Sequence, residues 1–256
     1  ARAAVMINRI DKLDPRDLPA LNTHCMRTIW SHFSAYGTEY DFCEFYRLWR
    51  QRTQIGYICS FNGSITAQLV YGKRATSDII RELSEFVNFK RPYFVQLSEG
   101  LCPKAGFSGY KRVKRSFFTL PKPSGDEANT DGLILEPDVE YVYKTAFSGE
   151  DYGLWLTDTV RRKNKGQLRM FGYESSVLTV RFCIGGAAYI SDVYTPQQDR
   201  NRGYATKLLK KTSALLSGEG YTSYLCADEQ TSGFYLRMGC ELSGEDTAFK
   251  LKDKGK

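Results

Sequence analysis

Residues Ser191 to Leu216, SDVYTPQQDRNRGYATKLLKKTSALL, restrict the fold more than any other stretch of this chain. A β-rich run ends and the sequence turns through polar and basic residues with the spacing Arg200-x-x-Gly203-x-Ala205. An amphipathic helical pattern then begins. A helix that starts in this way leaves its first N–H groups without internal partners. Aligned peptide dipoles make that end positive, so a phosphate can accept several backbone hydrogen bonds there. Gly203 allows close backbone approach, Ala205 keeps its position small, and Arg200 and Arg202 add charge-assisted donors. The stretch predicts a strand–turn–helix unit that holds a phosphate-bearing ligand. Two familiar phosphate motifs are excluded. There is no GxxxxGK followed by Ser or Thr, and no GxGxxG follows a strand with an acidic residue about twenty positions on.

The rest of the chain reads as mixed α and β. Pro15 to Phe33 has a helical apolar face, with Asp14 as its cap and Pro15 in its first turn. Asp41 opens a second helical pattern, FCEFYRLWRQR, with Phe42, Phe45, Tyr46 and Trp49 on one side. Ile55–Phe61 and Ser64–Tyr71 flank Asn62-Gly63, a hairpin signal because both turn residues tolerate positive φ. Ser77 caps the helical run DIIRELSEFV, Tyr93–Leu97 reads as a strand, and Gly109–Leu120 as one or two more. The polar stretch Pro121 to Gly132 is the one clear linker. Helical patterns follow around Asp138–Phe147 and Tyr152–Lys163, then strand-like runs at Leu168–Tyr173, Val177–Cys183 and Ala187–Val193. The order of elements repeats: helices, a hairpin, a helix, a strand and a final β segment.

Composition removes several function classes. A 42% hydrophobic share in 256 residues supports a packed core, and no apolar run nears the roughly 18 residues that span a bilayer. ARAAVMINRIDKLDP lacks the apolar centre of a secretion signal, and Met6 is a candidate native start. The seven cysteines form no CxxC pair, so free thiols in a reducing, cytoplasmic compartment are expected. His24 and His32 are the only histidines, which argues against a zinc site and against Ser/His or Cys/His hydrolysis. Residues 1–120 hold 18 Lys+Arg against 10 Asp+Glu, and residues 121–256 hold 18 against 19. The half with the loop is not basic, so anion binding there rests on local geometry. The basic first half raises a nucleic-acid reading, but its cations are dispersed among acidic residues and that partner is not expected.

Downstream of the loop come a glycine stop at Gly218–Gly220, the strand-like YTSYLCA, and DEQTSGFYLRMGCEL. With the VYTP lead-in, the R-x-x-G-x-A loop and the late FY…MG element in this order, the segment resembles the acyl-CoA-binding core of GNAT-family N-acetyltransferases. The resemblance covers Gly185 to Leu251 and extends more weakly back to about residue 133. It implies an α+β fold of two GNAT-like halves, each a mixed, mostly antiparallel sheet flanked by helices. Residues 1–120 would be a degenerate first half with a structural or substrate-facing role. Residues 121–132 would be the linker and 133–256 the half that binds acetyl-CoA. The first half has only GKRATS where the loop would stand.

The same resemblance implies the site. Acetyl-CoA would be a co-substrate, with no metal, and its acyl group would pass directly to an amine of a small molecule or protein. Val193, Tyr194 and Thr195 would line the thioester and pantetheine. Arg200, Asn201, Arg202, Gly203, Tyr204, Ala205 and Thr206 would face the pyrophosphate. Tyr235 matches the tyrosine that protonates the departing sulfur, and with an ordinary pKa of about 10 it is a competent donor. Asp228 stands where relatives often carry an asparagine that bonds pantetheine; an ionised aspartate accepts but does not donate. No general base is identified, with Asp192 and Glu174 both near the site in sequence. The competing reading is a non-catalytic acyl-CoA-binding or regulatory module of the same fold. Acceptor and oligomeric state are not legible.

Overall fold

The structure is a computed structural model that describes residues 5–12, 21–70, 73–98, 100–104, 106–122 and 129–252. Two compact units divide the chain: unit 1 comprises residues 1–115 with 245–256, and unit 2 residues 116–244. A division in sequence order would give 245–256 to the second half. The pairing of residues 248–250 places this segment in the first.

Unit 1 contains β1 (Val5–Arg9), α1 (His24–Tyr36), β2 (Cys43–Arg50), β3 (Thr53–Phe61), β4 (Ser64–Leu69), α2 (Ser77–Lys90) and β5 (Phe94–Leu97). Its strands follow the order β1-β2-β3-β4-β5 and are completed by the last part of β12 (Glu241–Leu251). All neighbours are antiparallel except β4 and β5, which α2 connects in parallel. Ala248, Phe249 and Lys250 pair with Gln96, Val95 and Phe94, and Phe249 is fully buried beside Phe107, ring centroids 4.8 Å apart. The β3–β4 hairpin turns at Asn62 and Gly63 with φ of 43° and 74°, as their identities require.

Unit 2 contains the end of β6 (Tyr110–Thr119), then β7 (Ile134–Leu135), α3 (Val139–Val142), which runs on as a π-helical turn over Tyr143–Phe147, and α4 (Tyr152–Asn164). It continues with β8 (Arg169–Tyr173), β9 (Ser176–Ile184), β10 (Ala187–Tyr194), α5 (Tyr204–Gly218), β11 (Thr222–Ala227) and α6 (Glu229–Arg237). The strand order is β6-β11-β10-β9-β8-β7. Again one pair is parallel, β10 with β11, joined by α5, which lays Leu208, Leu209 and Leu216 on the sheet. The repeat of element order is thus a repeat of topology, and the fold is α+β with mostly antiparallel strands. The final β segments differ from a simple repeat: residues 116–119 pair with β11 of unit 2, and 248–250 with β5 of unit 1.

The helix expected after Asp41 is strand β2. Its apolar residues at positions 42, 45, 46 and 49 fit a helical face, but both edges of the strand are hydrogen-bonded, to β1 and β3. A register shift at Leu48/Trp49 interrupts the alternation that would have marked it as β. The first helix begins at His24 with Thr23 as its cap, the Thr23 hydroxyl accepting from Met26 N–H at 3.2 Å. The cap expected at Asp14 and Pro15 lies outside the described residues, as does much of the linker, 123–128. Thr76, not Ser77, holds the cap position of α2. Among the described residues no helix is long and apolar enough to cross a bilayer.

Candidate active site

Strand β10 is irregular where it leaves the sheet. Opposite β9, Ser191 faces Thr179 and Tyr194 faces Val177, so β10 carries one residue more than its partner. Asp192 absorbs the bulge with a left-handed φ of 53°. On the other side, pairing with β11 ends at Ile190 and Leu225. Beyond that point the facing edges of the two strands have left the parallel ladder, at the carboxyl ends of both.

The bulge is tied down by side chains. The Asp192 carboxylate accepts from the hydroxyls of Thr179 and Ser191, the latter at 2.5 Å, and from Arg181 Nε at 3.1 Å. Burial pushes the Asp192 carboxyl up, but the Arg181 charge and the two hydroxyls outweigh it and hold the group below the usual carboxylate value. A carboxylate so stabilised is a poor proton acceptor. Glu174, the other candidate base, is exposed in the turn between β8 and β9.

The Asp192 network has a stability consequence. The side chains of Arg181 and Asp192 are 32% and 25% exposed, so solvent screens the pair and the lower end of the charged hydrogen-bond range applies. Asp192→Asn should cost about 1–2 kcal/mol at pH 7. A depressed carboxyl stabilises the fold above its unfolded value and loses that contribution as pH falls through its folded value. The gap between wild type and variant in urea unfolding should therefore close below about pH 4. A gap of equal size at pH 7 and pH 3 would contradict the assignment.

After Tyr194 the chain runs through Thr195 and Pro196 into a single 3₁₀ turn, Gln197–Asp199. Asn201 and Gly203 then take left-handed φ values of 65° and 77°. Asparagine and glycine are the residues that adopt this conformation at least cost. Gly203 occupies the cap position of α5 and brings no side chain to it. The first helical bond runs from Lys207 N–H to the Gly203 carbonyl at 3.0 Å. The N–H groups of Tyr204, Ala205 and Thr206 precede it, so the helix offers uncapped donors there. A Cβ built on Gly203 would meet nothing within 4 Å, so the space above that glycine is open.

The two arginines have duties within the loop. Arg200 Nε donates to the Thr195 carbonyl at 3.1 Å and its guanidinium lies 5.8 Å from the Tyr194 ring centroid. Arg202 reaches Asp199 at 3.6 Å. Thr195 is itself anchored, its hydroxyl 2.7 Å from that of Ser176. The expected anion site is thus built more from backbone than from guanidinium groups. Two cations escaped the sequence reading: Lys207 and Lys211 sit 5.8 and 5.7 Å from the Tyr173 ring centroid, with Tyr204 packed edge-on to the same ring. Their spacing of four on one helix face was the available signal.

Tyr235 lies on α6, which follows the carboxyl end of β11. It belongs to the core cluster that also holds Leu208, Leu225 and Ile190, with Val193 packed against it. Burial, with Cys240 and Asp228 nearby, pushes the Tyr235 phenol up to about 12, away from its ordinary value. No hydrogen bond to its hydroxyl is found among the described residues. Asp228 is committed elsewhere: it caps α6, accepting from Thr231 N–H at 2.9 Å and the Thr231 hydroxyl at 2.7 Å. Those bonds hold its carboxyl below the usual value.

No protein-family model matches the sequence, and no curated protein matches it. Solved structures do. A GCN5-related N-acetyltransferase from Sphaerobacter thermophilus superposes with a TM-score of 0.59 at 14% identity, covering 96% of this chain and 94% of that one. A GNAT-family acetyltransferase from Colwellia psychrerythraea gives 0.56 at 14%, covering 96% and 100%. A tandem GNAT protein from the clavulanic acid biosynthesis pathway gives 0.56 at 12%, covering 98% and 100%. At these identities the likeness establishes the fold: over nearly its whole length this chain has the fold of GNAT acetyltransferases, in tandem form.

Proposed function

We propose that unit 2 binds acetyl-CoA at the β10–α5 loop and transfers its acyl group directly to an amine. The observation that carries this reading is one coincidence. The bulged end of β10, the parting of β10 from β11, and the uncapped glycine start of α5 all occur at the carboxyl end of the same parallel pair. The N–H groups of Tyr204, Ala205 and Thr206 would hold the pyrophosphate, with Gly203 leaving room and the four nearby cations adding attraction. Val193, Tyr194 and Thr195 would run beside the pantetheine arm, where donors outside the ladder can polarise the acyl carbonyl.

Acetyl-CoA supplies the acyl group as a thioester. An uncharged acceptor nitrogen forms the new bond to the acyl carbon, the carbon–sulfur bond breaks, and one proton must leave nitrogen while one reaches sulfur. A phenol held at about 12 is a weaker acid than a thiol at its ordinary value of roughly 8.5. Tyr235 is therefore protonated at neutral pH and acts as a hydrogen-bond donor to the developing thiolate. Any proton it yields is replaced by the one leaving nitrogen. This revises the simpler picture of an ordinary phenolic acid.

One observation favours the alternative of a non-catalytic acyl-CoA-binding module: Asp192 is engaged with Arg181, and Glu174 stands exposed in the turn between β8 and β9. Incubation of the full chain with acetyl-CoA and a panel of primary amines, counting released thiol and acylated amine together, separates the two. The seven cysteines are unbridged, in keeping with a reducing compartment.

A further inference from the structure

Unit 1 repeats the topology of unit 2 but not its opening. β4 pairs with β3 from Gly56 to Phe61 without a register shift. Its parallel pairing with β5 runs to Ala67 and Leu97 and is then prolonged, Ser98 N–H donating to the Ala67 carbonyl at 2.9 Å and Leu69 N–H to the Ser98 hydroxyl at 3.2 Å. The buried Gln68 side chain ties the end of β4 to the start of α1, donating to the Leu69 carbonyl and accepting from Thr23. A pantetheine arm has no place between these strands.

What unit 1 does have is a cavity of about 480 Å³ between the β2–β3 turn and the start of α2. Arg50, Lys73 and Arg74 line it, with Gln51, Thr53 and Thr76. One carboxylate answers three cations: Asp78 Oδ2 lies 3.4 Å from Arg50 Nε, while its other oxygen takes the Thr76 hydroxyl. Arg50 Nε is shut off from solvent and makes no hydrogen bond among the described residues. Ile55 and Ile79 complete the lining, and a cavity with two positive charges in excess is complementary to a dianion that can accept several hydrogen bonds.

We propose that this cavity binds a small phosphorylated ligand through its phosphate, as a site separate from the acyl-CoA loop and not a second copy of it. The proposal does not rest on the acetyltransferase reading of unit 2.

Site-resolved labelling of Lys73 in the full chain, by an amine-reactive ester read by peptide mass spectrometry, tests it with inorganic pyrophosphate as probe. At ten times its Kd, pyrophosphate should slow labelling of Lys73 about tenfold. Lys104 and Lys250, exposed elsewhere in unit 1, should label at the rate seen in chloride of equal ionic strength. Protection should persist in Gly203→Val, which separates this site from the loop of unit 2. It should vanish in Arg50→Ala/Arg74→Ala, with folding checked by circular dichroism. Absence of protection in the wild type, or equal protection of all three lysines, would overturn the proposal. So would stronger protection by CoA than by pyrophosphate, which would make the cavity a second CoA site.

Discussion

Gly203→Val is expected to weaken CoA binding by about 100-fold, roughly 2.7 kcal/mol. Gly203 stands at φ 77° and ψ 7°, a conformation that costs an ordinary L-residue about 1–2 kcal/mol and a β-branched one more. The protein itself has room for the new side chain, since a Cβ there meets nothing within 4 Å. The substitution therefore spares core packing and acts on two things: the direction of the following N–H groups, and the space a phosphate oxygen would occupy. Charge-assisted hydrogen bonds are worth about 1.5–3 kcal/mol each, so misdirecting one or two accounts for the expected loss. Titration calorimetry of the full chain with CoA measures it. Gly149→Ala, at a glycine with open space and no left-handed φ, is the control and should bind CoA like the wild type. An affinity for CoA within twofold of wild type in Gly203→Val would remove the loop as the pyrophosphate site.

Tyr235→Phe is expected to lower turnover by about 100-fold, at the low end of what proton-transfer groups contribute, while leaving acetyl-CoA affinity within about twofold. The ring packs 5.9 Å from Phe118 and 5.1 Å from Phe234, contacts that phenylalanine preserves. The hydroxyl has no hydrogen bond within the described residues, so its removal should leave the melting temperature nearly unchanged. That separates a chemical effect from a folding one, because turnover should drop in a protein that still binds acetyl-CoA and still melts normally. Unaltered turnover would return Tyr235 to the role of a core aromatic.

Local patterns were legible wherever one period dominated. The α5 stripe, the Asn62-Gly63 hairpin and the strands β8 to β10 were read close to their observed bounds, because glycine, asparagine and apolar spacing act within a few residues. Strand β2 was misread because Phe42, Phe45, Tyr46 and Trp49 satisfy a helical period as well as a pleated surface, and pairing on both edges decided between them. The placement of Phe249 in unit 1 was beyond reach: its partner Val95 lies far off in sequence, and nothing near Phe249 encodes the choice. At the candidate site, the loop is a contiguous motif in the sequence and Tyr235 a spaced aromatic. The bulge at Asp192 is not legible in the sequence, since a left-handed aspartate inside a strand is held by Arg181 and Thr179 of β9 and by its neighbour Ser191. The resemblance offers Asp228 as a ligand contact, but the Asp-x-x-Thr spacing also spells a helix cap, and α6 uses it as one.

Whether unit 2 transfers acyl groups or only binds acyl-CoA is decided by the stoichiometry of transfer. The full chain, supplied with acetyl-CoA and each member of a primary-amine panel, is assayed at once for free thiol and for acetylated amine by mass spectrometry. For at least one amine the two should appear in equal amounts, with both rates lowered in Gly203→Val and in Tyr235→Phe. CoA bound at the loop with no amine acetylated across the panel would contradict acyl transfer and leave a binding module in the acetyltransferase fold.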